Sequence, residues 1–174
     1  MSNFKDILIQ KEKNSNNLPY LIAKLMIDQK LTISIAESIT GGKICANLVK
    51  IPGASKFFIG GIIAYSNFSK VNDCRVNPKT IQRFSPVSSQ VASEMAQRVQ
   101  EKFKSDIALS TTGYAGPQQQ NERVGLVYIG LQFGSNGVTK NFTFKGNREN
   151  IITHTYIAAL DLIRHQLGTH SLNK

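Results

Sequence analysis

Apolar residues recur at helical spacing in three parts of the chain. A helix is predicted over residues 20–29. The clearest helix is predicted over residues 88–104, where Ser88 is the N-cap candidate and every fourth residue from Val91 to Phe103 is apolar. We interpret that helix as core packing. A C-terminal helix is predicted from one apolar stripe, which comprises Ile152, Tyr156, Leu160, Ile163 and Leu167.

Strand patterns lie between these helices. Residues 31–36 alternate in polarity, residues 57–65 are apolar and punctuated by glycine as in a buried strand, and residues 106–112 run into a sharp glycine turn. Helical and strand patterns alternate along most of the chain. The sequence therefore predicts an α/β fold, in which helices cover a sheet.

A hairpin is predicted near the C-terminus. Residues 124–133 and 138–144 both have strand patterns, and Ser135-Asn136-Gly137 lies between them. Asn-Gly tolerates the positive φ angles that hairpin turns need. Because a hairpin adds antiparallel strands to an otherwise alternating pattern, we expect a three-layer α/β/α sandwich with a mixed β-sheet.

Length and composition fit one folded domain. The 174 residues are 41% hydrophobic and 18% charged, enough apolar material for a core. We expect a polar N-terminal arm at residues 1–18, the domain at 19–168 and a polar tail at 169–174. The sequence has no apolar run of about 18 residues and no apolar signal core, so we expect a cytoplasmic protein without a membrane span. Cys45 and Cys74 lack metal-ligand spacing, which predicts free thiols and no metal site.

The net charge of +10 would attract phosphate groups of any kind. Much of the excess lies between Lys43 and Arg83, where Asp73 is the one acidic residue. A solvated basic surface explains such a run as well as a binding function does. A nucleic-acid partner is the weakest interpretation, because no zinc finger or RNP-like motif is present.

Three glycine-punctuated strand ends concentrate hydroxyl groups and backbone amides. They are residues 37–42, 65–70 and 112–117. In an open α/β sheet such ends gather into one crevice, which makes a site there plausible. Free N–H groups around Thr40, Gly41 and Gly42 could bind an anion or an oxyanion. Alternatively, Ser38 or Thr40 only caps the following helix.

A serine nucleophile needs a base to take its proton. The histidines do not suit this role, because all three lie in the last helix or the tail. Lys70 is the candidate base, since it follows an apolar strand and Tyr65, whose hydroxyl could relay or orient the proton. The alternative is that Lys70 is one more surface charge.

Five ordered motifs resemble the CinA C-terminal domain family over about Tyr20 to Leu167. They are Ala36-Glu37-Ser38-Ile39-Thr40-Gly41-Gly42, Tyr65-Ser66-Asn67 with Lys70, Thr112-Gly113-Tyr114-Ala115-Gly116-Pro117, Val124-Gly125, and Phe144-Lys145-Gly146-Asn147-Arg148. The resemblance implies a three-layer α/β/α fold. It also implies hydrolysis of nicotinamide mononucleotide to nicotinic acid mononucleotide and ammonia, without a metal or organic cofactor.

The resemblance also implies roles for single residues. Ser38 would be the nucleophile, and Lys70 its general base and later the acid that protonates ammonia, with Tyr65 assisting. Thr112 and Gly113 would lie against the substrate. The remaining candidates for substrate binding are Arg148, which would hold the site or the phosphate, and Thr40, Gly41 and Gly42.

The sequence departs from the family pattern around this site. Ile39 stands where cysteine is usual, and Tyr114 replaces a small aliphatic residue, so that its ring could narrow the pocket. The loop at residues 118–123 is short and rich in glutamine, and Ile152 and Thr153 stand where a further basic residue is expected. The alternative function is therefore a catalytically silent relative that binds a nucleotide or a protein partner.

We also expect a homo-oligomer, most simply a dimer. Phe57, Phe58 and the exposed side of the hairpin are the candidate interface residues.

Overall fold

The computed structural model describes residues 18–117 and 123–172, except for the side chains of 169–172. Apart from Leu18, the predicted arm at 1–18 lies outside the described part. Of the predicted tail at 169–174, the backbone of residues 169–172 is described and continues the last helix. Its helices are α1 (Leu18–Asp28), α2 (Lys43–Val49), α3 (Asn67–Asn72), α4 (Pro78–Phe84), α5 (Ser89–Phe103) and α6 (Arg148–Leu172). Its strands are β1 (Ile33–Glu37), β2 (Phe58–Ile63), β3 (Ile107–Gly113), β4 (Leu126–Phe133) and β5 (Asn136–Thr143).

The five strands form one mixed sheet in the order β2-β1-β3-β4-β5. Strand β1 lies parallel to both β2 and β3, whereas β4 is antiparallel to β3 and β5. The predicted α/β class and mixed sheet are confirmed. None of the described helices is long and apolar enough to cross a membrane.

Helices cover both faces of this sheet. On one face, α1, α2 and α6 pack against alternate residues of β1, β3 and β4, such as Ile35, Leu109 and Ile129, which are fully buried. On the other face, α5 packs against the intervening residues, such as Ala36 and Ala108. The period-two alternation of each strand therefore supplies two separate cores.

Small and hydroxyl-bearing residues line the sheet face under α5. The Ser34 and Ser110 hydroxyls donate hydrogen bonds to the α5 carbonyl oxygens of Val99 and Ala92. A Cβ atom added at Gly130 would lie 2.5 Å from the Ala92 oxygen. Helix α5 thus lies close to the sheet, and buried serines find partners in its backbone.

Strand β2 differs from its predicted environment. Residues 57–65 were expected to form a buried strand, but β2 is an edge strand whose side chains are alternately exposed. Helix α2 covers the middle of one face, where a Cβ added at Gly61 would lie 2.6 Å from the Cys45 Sγ. Ile59 and Ile63 lie outside this cover and are 46% and 54% exposed.

The hairpin is confirmed, but its turn is not the predicted one. Phe133 pairs with Asn136, so the two loop residues are Gly134 and Ser135, and Gly137 lies within β5. Gly134 has a φ of 56°, and glycine with positive φ at the first loop position is the pattern of a type II′ turn. This turn suits the twist of the strands without using Asn-Gly.

Two further expectations need correction. Phe57 is fully buried in the core, so it cannot supply an exposed dimer interface, and Phe58 is half-buried against the same core. In α6 the predicted Leu160, Ile163 and Leu167 are buried, whereas the predicted Ile152 and Tyr156 are only half-buried against the same core. Ile151, which was not predicted, is fully buried instead of Ile152.

Candidate active site

Ser38 directly follows β1, the strand that lies between β2 and β3 in the sheet. The connection from β1 leads to β2 on one side, and β3 lies on the other side of β1. All three strands are parallel, so their carboxyl ends share one edge. Crevices at such a topological switch point are the usual ligand sites of open α/β sheets.

Lys70 reaches Ser38 from the next connection. Its Nζ lies 2.9 Å from the Ser38 Oγ, although 32 residues separate them in the chain. Lys70 belongs to α3. Ser66 directly precedes this helix and caps it, because the Ser66 hydroxyl accepts a hydrogen bond from the Ser69 N–H. At 3% exposure Lys70 is not a surface charge.

Two carbonyl groups orient the Lys70 amine. The Nζ also lies 2.9 Å from the Ala64 oxygen and 3.4 Å from the Tyr65 oxygen. Burial lowers the pKa of Lys70 from its ordinary value of 10.5 to about 8. A neutral amine has two hydrogens and one lone pair, so hydrogen bonds to both carbonyls leave the lone pair for the Ser38 hydroxyl.

The turn after Ser38 is held by Glu37. Its carboxylate is fully buried and accepts the N–H groups of Gly42, Ile44 and Cys45 at 3.0, 3.1 and 2.8 Å. These amides lie at the start of α2, and one of them, that of Gly42, was expected to be free for an anion. A carboxylate is well suited there, because it meets both the free amides and the positive end of the helix dipole.

Gly41 and Gly42 therefore do not offer free amides, and that expectation is wrong. The Gly41 N–H donates to the Ser38 carbonyl, and the Gly42 N–H is taken by Glu37. Within the described residues, the N–H groups of Ile39 and Thr40 have no acceptor. The amides free for an oxyanion are thus the two that follow Ser38 directly.

The alternative that Ser38 or Thr40 caps α2 is not what the structure shows. The residue at the cap position is Gly42, and no side chain of the cap residue bonds there. The Thr40 hydroxyl lies 2.8 Å from that of Thr111, and both are buried. Thr40, Gly41 and Gly42 do not line the cavity described next, and their part in substrate binding stays a prediction.

A cavity of about 340 Å³ opens beside the Ser38 hydroxyl. Five predicted site residues besides Ser38 line it, namely Tyr65, Lys70, Thr112, Gly113 and Arg148. The three motif segments at the strand ends, with Arg148 at the start of α6, therefore meet at one site. Its size lies at the lower end of the range of about 300–1,000 Å³ typical of small-molecule pockets.

The end of β3 forms the floor of this cavity. The Thr112 hydroxyl donates to the carbonyl of Pro86, another lining residue, at 2.9 Å. At Gly113 an added Cβ would lie 2.8 Å from the Leu126 oxygen and 2.9 Å from the Ile39 Cδ1. Glycine is required there because neighbouring backbone and side chains leave no room for a larger residue.

Tyr65 contacts Arg148 rather than the reacting pair. The Arg148 guanidinium donates to the Tyr65 hydroxyl at 2.8 Å and to the carbonyl oxygen of Gly116. The Tyr65 hydroxyl has no hydrogen bond to Ser38 or Lys70, so its predicted part in proton transfer finds no support in these contacts. Tyr65 reaches Lys70 through its backbone carbonyl instead.

Residues 15–167 match the family model of the CinA C-terminal domain. The chain belongs to this family. It is 43% identical over 157 residues to a CinA-like protein of Dictyoglomus thermophilum, an alignment that covers 89% of this chain and 38% of that protein. The chain thus spans about 38% of the length of this protein and of other curated relatives that it matches.

Solved structures of CinA proteins have the same fold. The competence damage-inducible protein A of Klebsiella pneumoniae superposes with a TM-score of 0.85 at 27% identity, over 87% of this chain and 96% of that one. A competence/damage inducible protein of Agrobacterium tumefaciens has a TM-score of 0.81 at 28% identity, over 88% and 96%. These matches confirm the resemblance found in the motifs.

Departures from the CinA pattern have clear places in the structure. Ile39 is 5% exposed and packs into the core, so an apolar core side chain stands where the family usually has cysteine. Thr153 accepts a hydrogen bond from the Lys43 amine at 2.7 Å, which brings a cation beside the position that lacks its expected basic residue. Tyr114 lines the cavity, and the loop at 118–122 lies outside the described residues.

Sequence reasoning missed several residues of this site. Glu37 was not given a role, because no standard capping pattern places a carboxylate six residues before the first residue of a helix. Asn67, Pro86 and Val87 also line the cavity. Pro86 and Val87 lie in the connection from α4 to α5, and no local pattern indicates that it folds over the end of β3.

The described residues offer no cluster of metal ligands and no ionised thiol at this site. Among the described residues, no group of three or more histidine, cysteine, aspartate or glutamate side chains could hold a metal ion. Cys45 and Cys74 are free, as predicted. Burial, reinforced by the Glu37 carboxylate, raises the pKa of Cys45 far above its ordinary value, so this thiol stays protonated.

Proposed function

We propose that this chain hydrolyses the carboxamide of nicotinamide mononucleotide, with Ser38 as nucleophile and Lys70 as general base. The observation that carries the proposal is the 2.9 Å contact between the buried Lys70 amine and the Ser38 hydroxyl. A lysine with a pKa of about 8 is neutral in a useful fraction of molecules near pH 7. The family resemblance suggests the substrate, and the cavity suits a small ligand with an anionic group.

The first half-reaction forms an acyl-enzyme. The Ser38 Oγ attacks the carboxamide carbon while its proton passes to the Lys70 Nζ. The carbonyl oxygen becomes an oxyanion. The N–H group of Ile39, which lines the cavity and has no acceptor in the described chain, is the candidate donor, and that of Thr40 follows it directly. Lys70 then returns the proton to the departing nitrogen, the C–N bond breaks, and ammonia leaves.

In the second half-reaction, water is the nucleophile and Ser38 is the leaving group. Lys70 is neutral again after ammonia leaves, so it takes a proton from a water molecule that attacks the ester of Ser38. When the tetrahedral intermediate collapses, the Ser38 oxygen recovers a proton from Lys70 and the carboxylic acid is released. One amide and one water thus become one acid and one ammonia.

Arg148 is the residue best placed for the substrate phosphate. It lines the cavity, and its guanidinium is held by Tyr65 and Gly116 on neighbouring loops. Guanidinium groups bind phosphate with strong charge-assisted hydrogen bonds. The wider positive charge of the chain would also favour approach of an anionic nucleotide.

Ammonia release from nicotinamide mononucleotide by the purified protein tests this proposal. We expect Ser38→Ala to abolish the release, and Lys70→Ala to lower kcat by about 10²- to 10⁴-fold, the usual effect of removing a general base. Ser93→Ala and Lys102→Ala are matched controls, since Ser93 is exposed on α5 and Lys102 is also outside the cavity. Equal rates for Ser38→Ala and the wild type would remove Ser38 from the mechanism.

A catalytically silent nucleotide-binding protein is the second candidate. Tyr114 favours it, because its ring occupies a wall of the cavity where the family pattern has a smaller residue. Calorimetry that shows tight binding of the nucleotide without ammonia release would establish this function instead. Retention on RNA or DNA with steep salt dependence would point to the third candidate, a nucleic-acid partner.

A further inference from the structure

We infer that Tyr114 is a specificity-determining residue, whose ring selects substrates in which the amide-bearing aromatic ring carries a positive charge. This inference rests on the proposed amidase function and adds the basis for choosing among amides. Nicotinamide attached to ribose is a pyridinium, a flat cation. A cation of this kind is attracted to the electron-rich face of a phenol ring.

The charged groups around the cavity favour such a selection. Arg148 lines it as a permanent cation, and Lys70 becomes a cation while it holds the Ser38 proton. Among the described lining residues there is no aspartate or glutamate. Among the described lining residues, a pyridinium therefore meets no compensating carboxylate, and an aromatic face is a source of favourable electrostatics for it.

Two tyrosines line the cavity, and their surroundings differ. The Tyr65 hydroxyl accepts a hydrogen bond from the Arg148 guanidinium, which draws electron density from the ring and sets a positive charge beside it. The Tyr114 hydroxyl faces a neutral group instead, since its oxygen lies 3.3 Å from the Ser85 Oγ. Tyr114 is therefore the better acceptor for a cationic ring.

Hydrogen bonds hold Tyr114 both at its backbone and at its hydroxyl. Its backbone follows β3 directly, where its N–H donates to the Leu126 carbonyl and its carbonyl accepts the Gly125 N–H. Its hydroxyl meets Ser85, which ends α4 with a φ of 73° and whose hydroxyl accepts the Val87 N–H. A ring fixed at both ends needs little ordering when a ligand stacks on it.

Binding of the oxidised and the reduced mononucleotide tests the inference. The two ligands share the carboxamide, the ribose and the phosphate, but the dihydropyridine ring of the reduced form is neutral. Affinities are measured by calorimetry in the Ser38→Ala background, so that neither ligand is consumed. We expect the oxidised form to bind about 3- to 30-fold more tightly, the range that corresponds to one cation–π contact.

Variants at Tyr114 then assign that preference. Tyr114→Phe keeps the ring and should keep most of the preference, whereas Tyr114→Leu should abolish it and leave the affinity for the neutral form within about twofold. Asp161→Asn, which removes an exposed carboxylate outside the cavity, is the matched control and should leave the preference unchanged. A preference that Tyr114→Leu retains would overturn the inference.

Other outcomes separate this inference from the proposed function. If Tyr114→Leu loses affinity equally for both ligands, the ring makes an apolar contact only. If Tyr114→Leu binds both ligands more tightly, the ring only narrows the cavity. Either result overturns the inference while ammonia release stands. A ring-charge preference that depends on Tyr114, in a wild-type protein that releases no ammonia, would overturn the amidase function alone. Binding of neither ligand would overturn both.

Discussion

At the scale of single residues, the candidate chemistry depends on how one amine is held. Lys70 is almost fully buried, yet its Nζ has three oxygen neighbours, Ser38 and the carbonyls of Ala64 and Tyr65. Burial disfavours its charged form, and the carbonyls fix the direction of its hydrogens. Both effects favour a neutral amine aimed at the serine, which is the state that a general base requires.

The pH dependence of the reaction should follow from the lowered pKa of Lys70. Only the neutral amine can take the Ser38 proton, so kcat/KM should rise about tenfold per pH unit in the acid range and level off above about pH 8. The profile of ammonia release against pH measures this. An ascending limb with an apparent pKa near 10.5 would mean that Lys70 is not the base that titrates.

Lys70 should also reduce the stability of the folded protein. Its pKa is lower in the folded state, so between about pH 8 and 10.5 the unfolded chain holds more protons and stability rises with pH. Below pH 8 both states are protonated, and the folded state carries the full cost of the buried cation, roughly 3 kcal/mol.

Lys70→Met removes this cost together with the hydrogen bonds to two carbonyls, which are worth about 1 kcal/mol each. We expect the variant to be inactive but about 1 kcal/mol more stable than the wild type at pH 7. The advantage should reverse at pH 10.5, where the wild-type amine is neutral in the folded state and no buried charge remains to destabilise it. Urea unfolding at the two pH values measures it, and a constant difference would contradict a lowered pKa.

At the scale of elements, the start of α2 determines which amides remain for the substrate. Glu37 ends β1, and its carboxylate folds forward over the turn to accept three N–H groups of the next helix. The chain therefore reverses tightly between Ser38 and Gly42. In this turn the serine hydroxyl faces Lys70, while the Ile39 and Thr40 amides stay without acceptors in the described chain.

Replacing Glu37 should disturb both the helix and the reaction. Glu37→Ala leaves three N–H groups without an acceptor and should lower the free energy of unfolding by about 3 kcal/mol or more. Glu37→Gln keeps one acceptor oxygen and should cost about 1 kcal/mol. Chemical denaturation gives these values, and the kinetic parameters of Glu37→Gln should show a lower kcat with little change in KM.

That kinetic result distinguishes positioning from general stability. A Glu37→Gln protein that is destabilised but keeps the wild-type kcat would show that the carboxylate supports α2 without affecting the Ser38 turn. Asp28, which pairs with Lys24 on the surface of α1, offers a control because Asp28→Asn removes an exposed carboxylate. Such exposed pairs contribute at most about 1 kcal/mol.

At the scale of the whole molecule, the strand order brings distant motifs to one edge. Because β1 has β2 on one side and β3 on the other, the segments after all three strands meet around Ser38. Arg148 adds the start of α6, the last element of the chain, to this edge by contacting the segments after β2 and β3. The cavity thus combines residues from nearly the whole domain.

Arg148→Ala should therefore weaken substrate binding more than chemistry. It removes a guanidinium that joins Tyr65 to Gly116, so we expect KM for the mononucleotide to rise about 10- to 100-fold while kcat stays within about threefold. Arg148→Lys should recover only part of the affinity. Arg164→Ala, which removes an exposed pair with Asp161, is the matched control. A loss confined to kcat would place Arg148 in the reaction itself.

The sequence by itself determined the architecture and the candidate site. Apolar periodicity and glycine-rich turns are local properties, and they predicted the α/β class, the hairpin, α5 and the strand ends that carry Ser38, Lys70 and Thr112. These features could be read because each depends on residues within one element or its boundary. The family resemblance, which the comparisons confirm, connected them in order.

Only the tertiary structure decided how these parts act on one another. Glu37 takes amides that looked free, β2 lies at the edge rather than inside the sheet, and the Tyr65 hydroxyl bonds to Arg148 instead of Lys70. Each outcome depends on contacts between segments far apart in the chain or on competition for the same donor. Local patterns contain no information about such competition, because its result depends on which groups the whole fold brings within hydrogen-bond distance.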